Sequence, residues 1–133
     1  MAKSESIIAE LDGRQLTLTN PSKVLYPEAG FLKGQVVDYY LNIAPVLVPH
    51  LANRPLTLKR FPNGVDHEFF FEKNATKHRP DWIQTVGIWG YGRGGELQFI
   101  LCNDRPTLAF VANLAALELH PALACNPQLD CPT

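Results

Sequence analysis

The chain has 133 residues, 46% of them apolar, which is the size of one compact domain with its own core and leaves little room for a second. Twelve Lys and Arg against thirteen Asp and Glu give a formal charge of −1, so bulk basicity that would hold nucleic acid non-specifically is excluded. An odd count of three cysteines, no basic-then-apolar leader and no apolar run near the ~18 residues of a membrane span point to a soluble protein of a reducing cytoplasm. Any polyanion site must therefore be local. Lys23, Lys33, Arg54, Lys59, Arg60, Lys73, Lys77, His78 and Arg79 supply that clustering, whereas residues 106 to 133 contain no Lys or Arg.

IIAEL, Asp12-Gly13 and RQLTLT predict an opening hairpin, because Asp-Gly supplies the positive backbone angles of a two-residue turn. NPSKVLYPEAGF, punctuated by Pro21, Pro27 and Gly30, reads as a loop of partly fixed backbone without regular structure. Val36, Tyr40, Ile43, Ala44, Leu47 and Leu51 recur at helical spacing and predict a helix over residues 33–51, kinked or split at Pro45. LTLKRF alternates as a strand that Pro62-Asn63-Gly64 ends, and EFFFEK follows as another. VGIW and LQFILC predict a hairpin around the glycine-rich GYGRGGE. Asn103-Asp104-Arg105-Pro106 signals a helix start, and TLAFVANLAALEL is expected to form a buried helix that His120 ends. HPALACNPQLDCPT reads as an extended connector. Strands and two helices without regular alternation give an α+β fold, a mixed or antiparallel sheet with packed helices.

Several side chains carry chemistry. Asn20, Lys23 and Lys33 are donors on the proline-fixed stretch, suited to an anion or merely to solubility. Alternation along a strand sends Phe70 to the opposite side from Phe69 and Phe71, so at least one ring needs a partner outside a single core; a base is one candidate and a second buried layer another. Lys59 and Arg60 likewise point to opposite faces. At a helix end, His120 would interact favourably with the C-terminal dipole. GYGRGGE lacks the Lys-Ser/Thr of a phosphate-binding loop. Cys102, His120, Cys125 and Cys131 lack the spacing of a structural zinc site, and Cys102 reads as core. Asp66-His67-Glu68 is the one close acidic pair near a strand and reads as a solvated loop edge; no Asp-x-Asp occurs anywhere.

LTNPSKVLYPEAGFLK and RPLTLKRFPNGVD…FFEK strongly resemble the start of the polymerase module of bacterial DNA ligase D, a primase-like polymerase of non-homologous end joining. The resemblance covers about residues 14–133. It implies the N-terminal half of an archaeo-eukaryotic primase-like polymerase fold, with residues 1–133 ending just before the strand that bears the catalytic Asp-x-Asp pair. It also implies roles: Asn20, Lys23 and Lys33 grip the 5′-phosphate of a recessed DNA end; Phe70 and Phe71 stack on the template; Lys59, Arg60 and His120 belong to the nucleotide and template surface. Tyr91 and Arg93 become candidates for contact with DNA or a partner polymerase. The complete module would add nucleotides from nucleoside triphosphates with Mn2+ or Mg2+, near the nucleoid, beside a Ku-like end-binding protein and a ligase module. This chain alone is expected to hold no metal and to be inactive as a polymerase. A dimer, an end-binding module without chemistry and an inactive remnant stay open as readings.

Overall fold

Asp12 and Gly13 take φ of 51° and 81° and turn β1 (Ser6–Leu11) into β2 (Arg14–Thr19), with Leu11 opposite Arg14. This is the expected hairpin. The chain is seen in a computed structural model that describes residues 6–89 and 96–122.

The stretch after β2 departs from the expected irregular loop. β3 (Val24–Tyr26) pairs antiparallel with β4 (Phe31–Leu32), Val24 facing Leu32. Pro27 lies just past β3, and Gly30, at φ 66°, lies just before β4. The breakers delimit a small hairpin; they do not abolish structure.

Lys33 opens α1 (Lys33–Leu51), whose start is fixed by the Gln35 carbonyl oxygen accepting the Leu32 N–H at 2.7 Å. Val36, Val37, Tyr40, Ala44 and Leu51 are buried along one face. The helix is not split at Pro45: it runs through Pro45 and Pro49, both exposed, where water can take the bond of each carbonyl left without an amide partner.

β5 (Leu56–Arg60) is the central strand of a five-stranded sheet that also contains β6 (Phe70–Glu72), β7 (Thr85–Trp89), β8 (Glu96–Ile100) and β9 (Ala116–Pro121). All its pairings are antiparallel. β6 and β9 both pair with Lys59 and Arg60, so these lie on opposite edges of β5. β7 and β8 form the expected hairpin, with Thr85 opposite Ile100.

α2 (Arg105–Asn113) is capped by Asp104, whose Oδ1 accepts the Thr107 N–H at 2.9 Å, with Pro106 in the first turn. Here a third expectation fails. The helix stops at Asn113, Ala115 takes φ 59°, and ALELH becomes strand β9, so His120 lies opposite Thr57 on a strand and ends no helix. Ala, Leu and Glu favour a helix in isolation, but pairing with β5 overrides that preference and sends Leu117 and Leu119 to one face and Glu118 and His120 to the other.

Leu56, Leu58 and Ile100 from the sheet pack with Leu108 and Val111 of α2 and Val36 and Tyr40 of α1 in one core. Cys102 is fully buried there, and burial pushes its thiol up to about 12, so it acts as a small hydrophobe, as read from sequence. Among the described residues no helix is long and apolar enough to cross a membrane.

Candidate nucleic-acid interface

Ten positions separate Lys23 from Lys33, and the β3–β4 hairpin closes that gap. The Lys33 N–H donates to the Lys23 carbonyl at 2.8 Å, and the Gly34 N–H donates to the Pro21 carbonyl at 2.8 Å. A Cβ on Gly34 would sit 3.2 Å from that same carbonyl oxygen, so glycine permits the close approach. Asn20, at φ 50°, turns the chain out of β2, and its carbonyl accepts the Lys23 N–H at 3.0 Å. Asn20, Lys23 and Lys33 consequently line one cavity of about 210 Å³, together with Thr19, Arg60 and the end of α2.

Three cations therefore meet in this cavity, and none of its lining residues is a carboxylate. Lys33 is 7% exposed and donates from Nζ to Thr19 Oγ1 at 3.0 Å; Lys23 donates to Asn63 Oδ1 at 3.1 Å. Burial, with lesser repulsion from Lys23 and Arg60, lowers the Lys33 ammonium to about 8. Arg60 is anchored from behind: Nε donates to the Leu114 carbonyl at 2.8 Å and a terminal nitrogen meets Glu72 at 3.0 Å. Its place in this cavity was missed from sequence, because only the folding of β5 against α2 brings it there. Three cationic side chains with no lining carboxylate suit an anion, and such a contact reads no base sequence.

The other face of β5 is open. Lys59 sits in a cross-strand row between Phe71 on β6 and Glu118 on β9. Its ammonium lies 4.1 Å from the Phe69 ring centre, 5.7 Å from Phe71 and 5.4 Å from Phe61, and 3.2 Å from a Glu118 oxygen. The other Glu118 oxygen meets His120 Nε2 at 3.2 Å, and the His120 and Phe71 rings are 6.1 Å apart. The Lys59 and His120 contacts hold the Glu118 carboxyl below its usual range. Glu118 and Phe69 join this surface without having been singled out in the sequence; the alternation of LELH along a strand is the signal that would have found Glu118.

Phe69, Phe70 and Phe71 are 49%, 43% and 55% exposed, large values for such side chains. The alternation expected from sequence is present: Phe69 and Phe71 touch edge to face at 5.8 Å, while Phe70 turns to the opposite side under the Arg60 guanidinium at 5.0 Å. Phe70 thus stands against Arg60, which lines the cavity, and Phe71 beside Lys59. Lys59 and Arg60, too, serve different faces.

Tyr91, Arg93, Cys125 and Cys131 lie outside the described residues. Among the described residues no group of three His, Cys, Asp or Glu side chains is placed to hold a metal ion, Asp66 and Glu68 included. The described residues therefore offer no set of ligands for a divalent metal.

The chain matches the family model described as LigD, primase-polymerase domain, over residues 32–133. It is 48% identical over 106 residues to the multifunctional non-homologous end joining protein LigD of Mycolicibacterium smegmatis, covering 80% of this chain and 14% of that protein. It is 31% identical over 106 residues to the bifunctional LigD of Bacillus subtilis, covering 80% of this chain and 16% of that protein. The polymerase domain of Mycobacterium tuberculosis ligase D, solved in complex with DNA, superposes with a TM-score of 0.74 at 42% identity, covering 80% of this chain and 36% of that one. The chain thus spans about a seventh of these full-length relatives and about a third of the solved domain. Its sheet, its helices and its sequence agree on one assignment: the chain belongs to the LigD primase-polymerase domain family.

Proposed function

We propose that residues 1–133 form the DNA-positioning portion of an end-joining polymerase domain, which seats the 5′-phosphate of a recessed DNA end on Asn20, Lys23 and Lys33, with Arg60 as a third cation. The observation that carries this reading is the convergence of Lys23, Lys33 and Arg60 on one cavity that no carboxylate lines. A terminal phosphate carries more charge than a bridging one, and so gains most from such a pocket. The relative solved with DNA supports nucleic acid as the ligand class.

Phe70 and Phe71 then stack on template bases, each worth roughly 1–3 kcal/mol. Because the two rings lie on opposite faces of β6, one base does not use both; a template strand crossing the β6 edge sets one base against each. Lys59 and His120, both in contact with Glu118, form the surface for an incoming nucleoside triphosphate. Template-dependent nucleotide addition with Mn2+ or Mg2+, and work beside a Ku-like protein and a ligase module in the cytoplasm, belong to the longer protein in this proposal.

The test compares binding of one recessed duplex with a 5′-phosphate and with a 5′-hydroxyl. The purified chain is expected to prefer the phosphorylated end by about 10-fold, near the value of one charge-assisted hydrogen bond. Lys23→Ala and Lys33→Ala should each bring the preference to within about 2-fold of unity and flatten the salt dependence. A folded chain that binds both ends equally refutes the reading.

A further inference from the structure

The end of α2 reaches the cavity that Lys23, Lys33 and Arg60 line by two routes. Leu114, just past the helix, receives Arg60 Nε on its carbonyl. Asn113, the last helical residue, clasps β2: its Oδ1 accepts the Thr19 N–H at 2.8 Å, and its Nδ2 donates to the Thr17 carbonyl at 3.3 Å. Thr19 Oγ1 in turn accepts from Lys33 Nζ at 3.0 Å. An ammonium has no acceptor, so the Thr19 hydroxyl must aim its own proton elsewhere, and Asn113 Oδ1 at 3.5 Å is the acceptor on that side.

Resting on the 5′-phosphate reading above, we propose that Thr19 and Asn113 are positioning residues for the phosphate site: Asn113 fixes Thr19, and Thr19 aims and steadies the Lys33 ammonium toward the bound phosphate. The pair commits one of the three ammonium protons to Thr19 and leaves two for an anion. It also supplies a fixed acceptor for Lys33, whose charged neighbours are Lys23 from the β2–β3 connection and Arg60 from β5, the latter backed by Glu72. Both positioning residues line the cavity themselves. The helix terminus adds to this, since carbonyls at a C-terminal end favour nearby cations.

Sequence distance hides the arrangement, as Thr19 and Asn113 lie on β2 and α2, at opposite ends of the described chain. Its consequence is specific. Without the Thr19 hydroxyl, Lys33 has less to stabilise its charge beside two other cations, so its protonated form becomes harder to keep and the phosphate preference fades at a lower pH.

The experiment measures the ratio of affinities for 5′-phosphate and 5′-hydroxyl recessed duplexes from about pH 6 to pH 10, for the whole chain and for Thr19→Val, Thr19→Ser and Asn113→Ala. Thr19→Val is expected to cut the ratio about 5-fold at neutral pH and to move its pH midpoint down, Thr19→Ser to restore both, and Asn113→Ala to lie between them. If Thr19→Val and Asn113→Ala keep the wild-type ratio and midpoint, the inference is overturned while the phosphate reading stands. Equal weakening of both duplexes, with the ratio intact, marks a purely structural role and also overturns it. A wild-type chain that does not distinguish the two ends removes the phosphate reading itself, and the inference with it.

Discussion

Lys33 is a buried ammonium beside two other cations, and before any anion arrives that arrangement costs stability. Its folded value of about 8 lies below its ordinary 10.5. Between those limits the unfolded chain binds a proton that the folded chain does not, so the Lys33 contribution rises with pH across that window. Below about pH 8 both states are protonated and the penalty of burial is felt in full. Lys33→Met keeps the length of the side chain and removes the charge. It should therefore stabilise the DNA-free protein at pH 7, by about 1 kcal/mol once solvent screening is allowed for, and the gain should vanish near pH 10. Urea midpoints of the two proteins at both pH values check this; a Met variant less stable at pH 7 would contradict it. The same substitution should remove the proposed phosphate preference, in which case the site trades stability for binding.

Packing decides the elements where local preference is ambiguous. The opening hairpin, α1, β5 and the start of α2 were legible because Asp-Gly, the helical period from Val36 to Leu51 and the Asp104 cap are local signals. β9 was not: the Ala, Leu and Glu of LAALEL favour a helix, and what turns it is a positive φ at Ala115 and pairing with β5. The short β3–β4 pair was hidden by its own prolines and glycine. The binding surface divides in the same way. Lys23 and Lys33 were recognisable from local wording, whereas Thr19, Arg60 and Asn113 are joined only by the tertiary fold. One bond shows how β9 is held: the Tyr40 hydroxyl of α1 donates to the Ala116 carbonyl at 2.7 Å in the buried core, where β9 begins. Tyr40→Phe leaves that carbonyl without its partner and should cost about 1–2 kcal/mol in chemical unfolding, with faster amide exchange concentrated in β9. Exchange spread evenly over the molecule would deny this bond its local role.

At the scale of the molecule, binding and chemistry separate. Seating a 5′-phosphate needs donors and cations, and these are present in one cavity; two-metal nucleotidyl transfer needs carboxylates that hold two ions ~4 Å apart. No Asp-x-Asp occurs in the 133 residues, and no metal-ligating trio converges among the described ones. The residues given to DNA are nonetheless fixed by contacts within this chain: Lys33 through Thr19, Arg60 through Leu114 and Glu72, Lys59 through Glu118. Recognition should accordingly persist where catalysis does not. With a primed template, Mn2+ and nucleoside triphosphates, the purified 133-residue chain is expected to yield no extended product above a protein-free control, while the same preparation still prefers a 5′-phosphorylated end. Extension by this chain would show that carboxylates outside an Asp-x-Asp pair can assemble the metal site. Loss of the phosphate preference in a folded sample would instead show that the pocket needs more of the domain than these residues supply.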